Sequence, residues 1–213
     1  MKPGRFGSVT YLRRSIRLLM IAAVAMFCAL DVSAAVDRPP LSPGQDFSNP
    51  MFQLRAPDSA GWFGLSRSPS QIAFGKSGPS KDESFIAAVM LFHHPAFQNP
   101  DAFTEYVREG VAKDSPTDRF EMIELSIQYS PEREYPCVRY HGISNDRKAR
   151  TSAFFRKTMR IEIVSLYCEY PSKPEIGFVA SFSHRGGSAD VKIDDDAASF
   201  INSVQVAAPG KTS

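Results

Sequence analysis

The sequence predicts an α+β fold: a mainly antiparallel sheet of about six strands with two covering helices. Three observations lead there. Residues 84–94, SFIAAVMLFHH, are apolar at nearly every position, the pattern of a strand covered on both faces. Residues 120–130, FEMIELSIQYS, alternate. Ile123, Leu125, Ile127 and Tyr129 fall on one face and Glu124, Ser126 and Gln128 on the other, so this is a half-buried strand. Two other segments repeat apolar residues at three- and four-residue steps, as amphipathic helices do. A sheet with a strand covered on both faces needs those helices as its cover.

The 213-residue chain opens with Arg13, Arg14 and Arg17 and has no acid before Asp31. Residues 18–30, LLMIAAVAMFCAL, are uncharged. As a helix they reach about 20 Å, short of the ~30 Å bilayer core. Val32 and Ala34 are small residues placed for a cut after Ala34. A basic start, a short apolar run and that site read as a secretory signal peptide over 1–34. An uncleaved anchor is the alternative. Phe27 stands before Cys28 where a lipidation motif needs a small residue. Arg13-Arg14 only partly resembles a twin-arginine signal, so general secretion is the simpler route.

Cleavage changes the balance of charges. The chain holds 25 Lys+Arg and 23 Asp+Glu. Losing Lys2, Arg5, Arg13, Arg14, Arg17 and Asp31 leaves 20 against 22, a net of −2. A near-neutral mature protein gives no global argument for nucleic acid or an anionic membrane. Cleavage also removes Cys28 and leaves an even pair, Cys137 and Cys168, in an exported chain.

The mature chain suits one domain over 50–205, behind a flexible proline-rich lead-in at 35–49 and before a disordered tail at 206–213. MFQLRAP (51–57) is a short alternating strand. AGWFGLSRSPS, with the only tryptophan, Trp62, reads as loop. QIAFGKS (71–77) is another short strand, and Pro95 stops the apolar run at 84–94. Asn99 caps a helix at about 100–113, with Pro100 in its first turn and Asp101 complementing the dipole. The strand at 120–130 is followed by others at 135–144, 159–170 and 177–184. IDDDAASFINSV (193–204) has an acidic start and reads as the closing helix.

This order, with the opening F-x-L-x-x-P…GW at Phe52, Leu54, Pro57, Gly61 and Trp62, resembles the PsbP-type α/β sandwich over residues 50–204. The resemblance implies a fold and, because these proteins mostly serve as accessory or binding modules, a non-catalytic role. It carries no site residue across.

Cys137 and His141 invite a reading as thiolate and base. On a strand, residues four apart share a face but lie about 13 Å from one another. A nucleophile and its base need roughly 3 Å. Neighbouring strands approach to about 5 Å, which a disulfide spans, so Cys137–Cys168 is the expected pairing. One tension stands. Cys168 shares its face with Val164 and Leu166, Cys137 with Arg139 and His141. His93 and His94 are weak metal candidates, since adjacent strand residues face opposite ways and H-E-x-x-H is absent. Asp194, Asp195 and Asp196 lack the spacing of a calcium loop and suit a helix N-terminus. Residues 145–160 hold Arg147, Lys148, Arg150, Arg156, Lys157 and Arg160 against one acid, Asp146. That unbalanced stretch is the best interaction-surface candidate.

The expectation is an exported, non-catalytic domain, periplasmic or secreted, binding a protein or small ligand at the cell envelope. It needs no cofactor, takes no nucleic acid and keeps no membrane span once cleaved. Two other readings stay open: an envelope thiol enzyme or hydrolase using Cys137 with His141 or His184, and a metal-handling protein using His93 or His94.

Overall fold

The computed structural model describes residues 39–149, 151, 158–173, 175–190 and 192–206. The expected signal peptide lies outside these. Ten strands and two helices follow in the order β1 (Asp46–Ser48), β2 (Phe52–Arg55), β3 (Phe63–Ser68), β4 (Gln71–Ser77), β5 (Ser84–His93), α1 (Pro100–Asp114), β6 (Phe120–Ser130), β7 (Cys137–Asp146), β8 (Met159–Glu169), β9 (Ile176–Gly186), α2 (Ile193–Ser203) and β10 (Gln205–Val206).

Seven strands form one antiparallel sheet in the order β3-β4-β5-β9-β8-β7-β6. A second, three-stranded sheet runs β1-β2-β10. The expected α+β build and two covering helices are present among the described residues, but the strands outnumber the expected six. The lead-in expected to be flexible contains β1, and Pro40 bridges to Phe63. The expected loop around Trp62 contains β3, whose pattern is masked by Gly64 and a register shift between Gly64 and Ser66.

Successive side chains of a strand face opposite ways, and the two faces of the large sheet carry different cores. One face packs against α2 and the small sheet through Phe52, Leu54, Phe74, Val89, Leu166, Phe182, Phe200 and Ile201. Trp62 belongs to this core: it is 2% exposed, lies edge-on to Phe182, and donates Nε1–H to Ser59 Oγ at 3.0 Å. The other face packs against α1. There Phe103, Val107 and Val111 meet Val138 and Tyr140 of β7, with Ile127 and Tyr167 at the margin.

The helix ends follow their sequence. Asn99 Oδ1 accepts from the Ala102 N–H at 2.9 Å, and Pro100 occupies the first turn. Asp194, Asp195 and Asp196 occupy the first turn of α2, but Lys192 stands at its N-cap without a side-chain bond. These acids therefore act through the dipole and not as caps. At the other end Arg133 donates to the carbonyls of Ile201 (3.0 Å) and Val204 (3.3 Å), satisfying groups a helix C-terminus leaves open.

Candidate functional site: the outer strand and its neighbours

Cys137 and Cys168 are directly opposed across β7 and β8, with Cα atoms 4.1 Å apart, and their sulfurs are joined. Both are fully buried. A bridged sulfur is no thiolate, so the thiol-enzyme reading loses its nucleophile. The tension between their neighbours resolves along the face. Near the bridge the face is apolar core. Two residues on, Arg139 reaches outward to Glu132 (2.6 Å), and beyond it the face turns ionic.

That ionic stretch crosses the sheet as a row. His141 Nε2 of β7 lies 3.1 Å from Glu162 Oε1 of β8. Glu162 opposes His184 of β9 in register, and His184 Nε2 lies 2.8 Å from Glu83 Oε1. The Phe85 ring stacks on His184 at 4.6 Å. Glu162 and His184 are buried. Burial pushes the Glu83 carboxyl up, but the His184 and Ser80 hydrogen bonds outweigh it and leave the group below its usual range. The row holds two acid–base pairs side by side and no nucleophile.

The other two histidines do not meet. His93 is exposed at the end of β5. His94 is buried, stacked on Phe97 at 4.8 Å, and its Nδ1–H donates to the Pro95 carbonyl at 2.8 Å. Tyr106 bridges the region by donating to the His93 carbonyl at 2.9 Å, and burial raises its hydroxyl pKa to about 12. Among the described residues no three His, Cys, Asp or Glu side chains gather as a metal site.

The basic segment looks different once folded. Arg150, Arg156 and Lys157 lie outside the described residues. Arg147 pairs with Glu121 at 3.0 Å and Lys148 with Asp118 at 2.5 Å. Asp146 is buried and accepts from Arg119 Nε (3.0 Å) and Nη2 (2.7 Å) and from the Lys148 backbone N–H (3.0 Å). The Lys148 hydrogen bond lowers the Asp118 pKa, and those of Asn145 and then Arg147 lower that of Glu121. Arg147 and Lys148 are thus matched by acids from the α1–β6 connection and the start of β6. The local excess of charge is offset by acids at those two positions. Arg160 enters β8 opposite Asn145.

The largest departure from the sequence reading is β6. It is the outermost strand beyond β7, and among the described residues nothing pairs with its outer edge. It was expected to be half-buried. Phe120 and Ser130 at its ends are buried, but between them only Ser126 and Ile127 are partly covered, Ile127 against the α1 core. Met122 (37%), Ile123 (52%), Leu125 (47%) and Tyr129 (42%) are the exposed large apolar side chains among the described residues. The expected face is also redrawn. Met122 opposes Ser144 and Glu124 opposes Ile143, so a bulge sits at Ile123. Below it Phe120 and Met122 face α1; above it Leu125, Ile127 and Tyr129 do. Alternation identified the apolar face, but the α1 core takes in only Ile127 of β6 and leaves Leu125 and Tyr129 exposed.

A further feature had no sequence signal. Asp46, Ser48, Gln53, Arg55, Ser199, Asn202 and Gln205 line an open groove of about 760 Å³ between the small sheet and α2. Its lining is mostly polar, with Phe47 and Leu54 the apolar members, and no catalytic set converges there.

No family model matches the chain, and no curated protein matches it. Several solved structures resemble it in part. A Bacteroides thetaiotaomicron protein covers 79% of this chain at 13% identity with a TM-score of 0.42, and the chain spans 50% of that protein. LpqN of Mycobacterium tuberculosis, involved in cell envelope biogenesis, covers 80% at 13% identity with a TM-score of 0.45, over 90% of its own length. The Saccharomyces cerevisiae Ran-binding protein Mog1p covers 74% at 10% identity with a TM-score of 0.37, again over 90% of its length. Likenesses this distant carry no argument about the function of this chain.

Proposed function

We propose that this chain is an exported, non-catalytic domain of the cell envelope that works by presenting the β6 edge to a protein partner. The observation that carries this reading is the row of exposed apolar side chains, Met122, Ile123, Leu125 and Tyr129, on an open strand edge. An exposed apolar strand is costly to leave in water and invites another chain to add to the sheet. The signal-like N-terminus and the buried Cys137–Cys168 bridge support an oxidising compartment. Four polar or charged side chains on the opposite face of β6, Glu121, Glu124, Ser126 and Gln128, supply a rim of the kind protein interfaces use.

The test is site-specific photo-crosslinking in the cell that makes the protein. A benzophenone side chain replaces Leu125 or Tyr129, and controls carry it at Arg67 on the opposite sheet edge. The expected result is a discrete adduct from both β6 positions, absent from Arg67, and lost when the neighbouring β6 residue is changed to Lys. No adduct, or the same adducts from all three positions, would show that β6 is not the working surface.

A further inference from the structure

We infer that the occupant of the β6 edge is the β6 edge of a second copy of this chain, paired antiparallel about a two-fold axis at Ile127. This rests on the reading of β6 as a docking edge and goes further by naming what docks.

The two edges of the large sheet are treated differently. β3 has six residues, a register shift after Gly64, and a cover of polar groups. Arg67 lies over the Phe47 ring and donates to the Ser48 carbonyl at 3.2 Å. Asn49 Nδ2 donates to the carbonyls of Ser68 and Pro69, each at 3.2 Å, and Pro40 bridges Phe63. These are the devices by which edges are kept from pairing. β6 has eleven residues and no Lys, Arg or Pro among them. Its devices are the bulge at Ile123 and two acids, Glu121 and Glu124.

That bulge and Pro131 bound a regular stretch, Glu124–Ser130. An antiparallel two-fold pairing that uses the whole stretch must centre on Ile127. Ile127 then meets its own copy, and Leu125 meets Tyr129 of the second copy. Both pairs lie on the face that packs against α1, where the cores of the two copies would run together through Ile127. On the opposite face Glu124 meets Ser130 and Ser126 meets Gln128. Glu124 is the only charge in the stretch, and its two copies sit at opposite ends, about 20 Å apart at ~3.3 Å per residue. That exceeds the screening length of about 8–10 Å. A half-residue shift would set the apolar face against the polar one. Centring on Leu125 or Ser126 would run the ladder through the bulge. The sequence is therefore self-complementary in one register, and the pairing extends the sheet from seven to fourteen strands.

The experiment is sedimentation velocity on the mature chain with its disulfide intact, up to about 100 μM, a range that reports weak dimers. The expected mass is that of two chains. Leu125→Lys and Tyr129→Lys are each expected to weaken the dimer roughly tenfold or more, because a lysine is set against an apolar partner in both copies. Both positions are exposed, so thermal melting of the variants should stay close to that of wild type. The register is read separately. Leu125→Cys and Tyr129→Cys proteins, mixed under oxidation, should cross-link to each other, and neither should cross-link alone. A wild-type monomer throughout this range overturns the inference, as does a dimer that both lysine variants leave intact. Cross-linking of Leu125→Cys alone overturns the register. A monomer that still gives the β6 photo-adduct of a different mass in cells overturns self-pairing while leaving the docking reading standing.

Discussion

Reducing the Cys137–Cys168 bridge should cost the domain about 3–4 kcal/mol. The two residues are 31 apart in sequence, and the chain-entropy relation for a loop of that length gives this figure near 25 °C. The placement of the bridge supports using the whole figure. It joins the open end of the β7–β8 hairpin, whose register runs in unbroken pairs from Cys137–Cys168 to Asp146–Met159. The two strands are thereby held together in the unfolded chain. Comparing oxidised and reduced wild type removes no side chain, so no cavity is added to the account. Because both cysteines are fully buried, reduction has to be done in denaturant, with refolding in the presence of reductant. The assay is urea unfolding of the two forms. With a slope of about 2 kcal/mol/M, the midpoint should fall by about 1.5–2 M. Intact mass after alkylation, with and without reduction, checks the premise and reads the N-terminus. A chain starting at Ala35 that takes up alkylating agent only after reduction fits an exported, bridged protein. Two thiols reactive without reduction, or a stability difference below about 1 kcal/mol, would refute the reasoning.

Three further outcomes are expected. Asp146→Asn leaves Arg119 facing an amide in place of a buried carboxylate that accepts three hydrogen bonds, and should cost about 2–4 kcal/mol by urea unfolding. Arg133→Ala uncaps the last turn of α2 and should cost about 1–2 kcal/mol, with hydrogen exchange speeding up first at Ser203 and Val204. Glu83→Gln should cost about 1–2 kcal/mol at neutral pH by weakening the bond to buried His184. Its pH dependence has a definite sign. The folded Glu83 pKa lies below the ordinary 4.5, so its contribution is complete above that pH and is lost as pH falls through the folded value. The gap between wild type and Glu83→Gln in thermal melts should therefore close below about pH 4.5, and a gap that widens there would contradict the assignment.

What could be read in advance was whatever is written locally. The β4 and β6 boundaries and the start of α1 coincide with the expected ones, because alternation, the Asn99-Pro100 cap and flanking turns act over a few residues. β3 was missed because Gly64 and the register shift break its alternation, and β1 and β10 are too short to show a period. The balance of charge at Arg147 and Lys148 was missed because their acids lie 26 and 30 residues earlier in the chain. The His141–Glu162–His184–Glu83 row has no spacing at all in sequence. It exists because β8 and β9 pair with Glu162 opposite His184. A slip of one residue would set Glu162 against Ser183 or Arg185 and turn its side chain to the other face. The same logic governs β6. Alternation there says which residues share a face, and the bulge at Ile123 changes even that. Whether the face is covered depends on which side chains α1 reaches, and its Phe103, Val107 and Val111 pack on Val138 and Tyr140 with Ile127 beside them. The exposure of Leu125 and Tyr129 is thus a consequence of long-range packing.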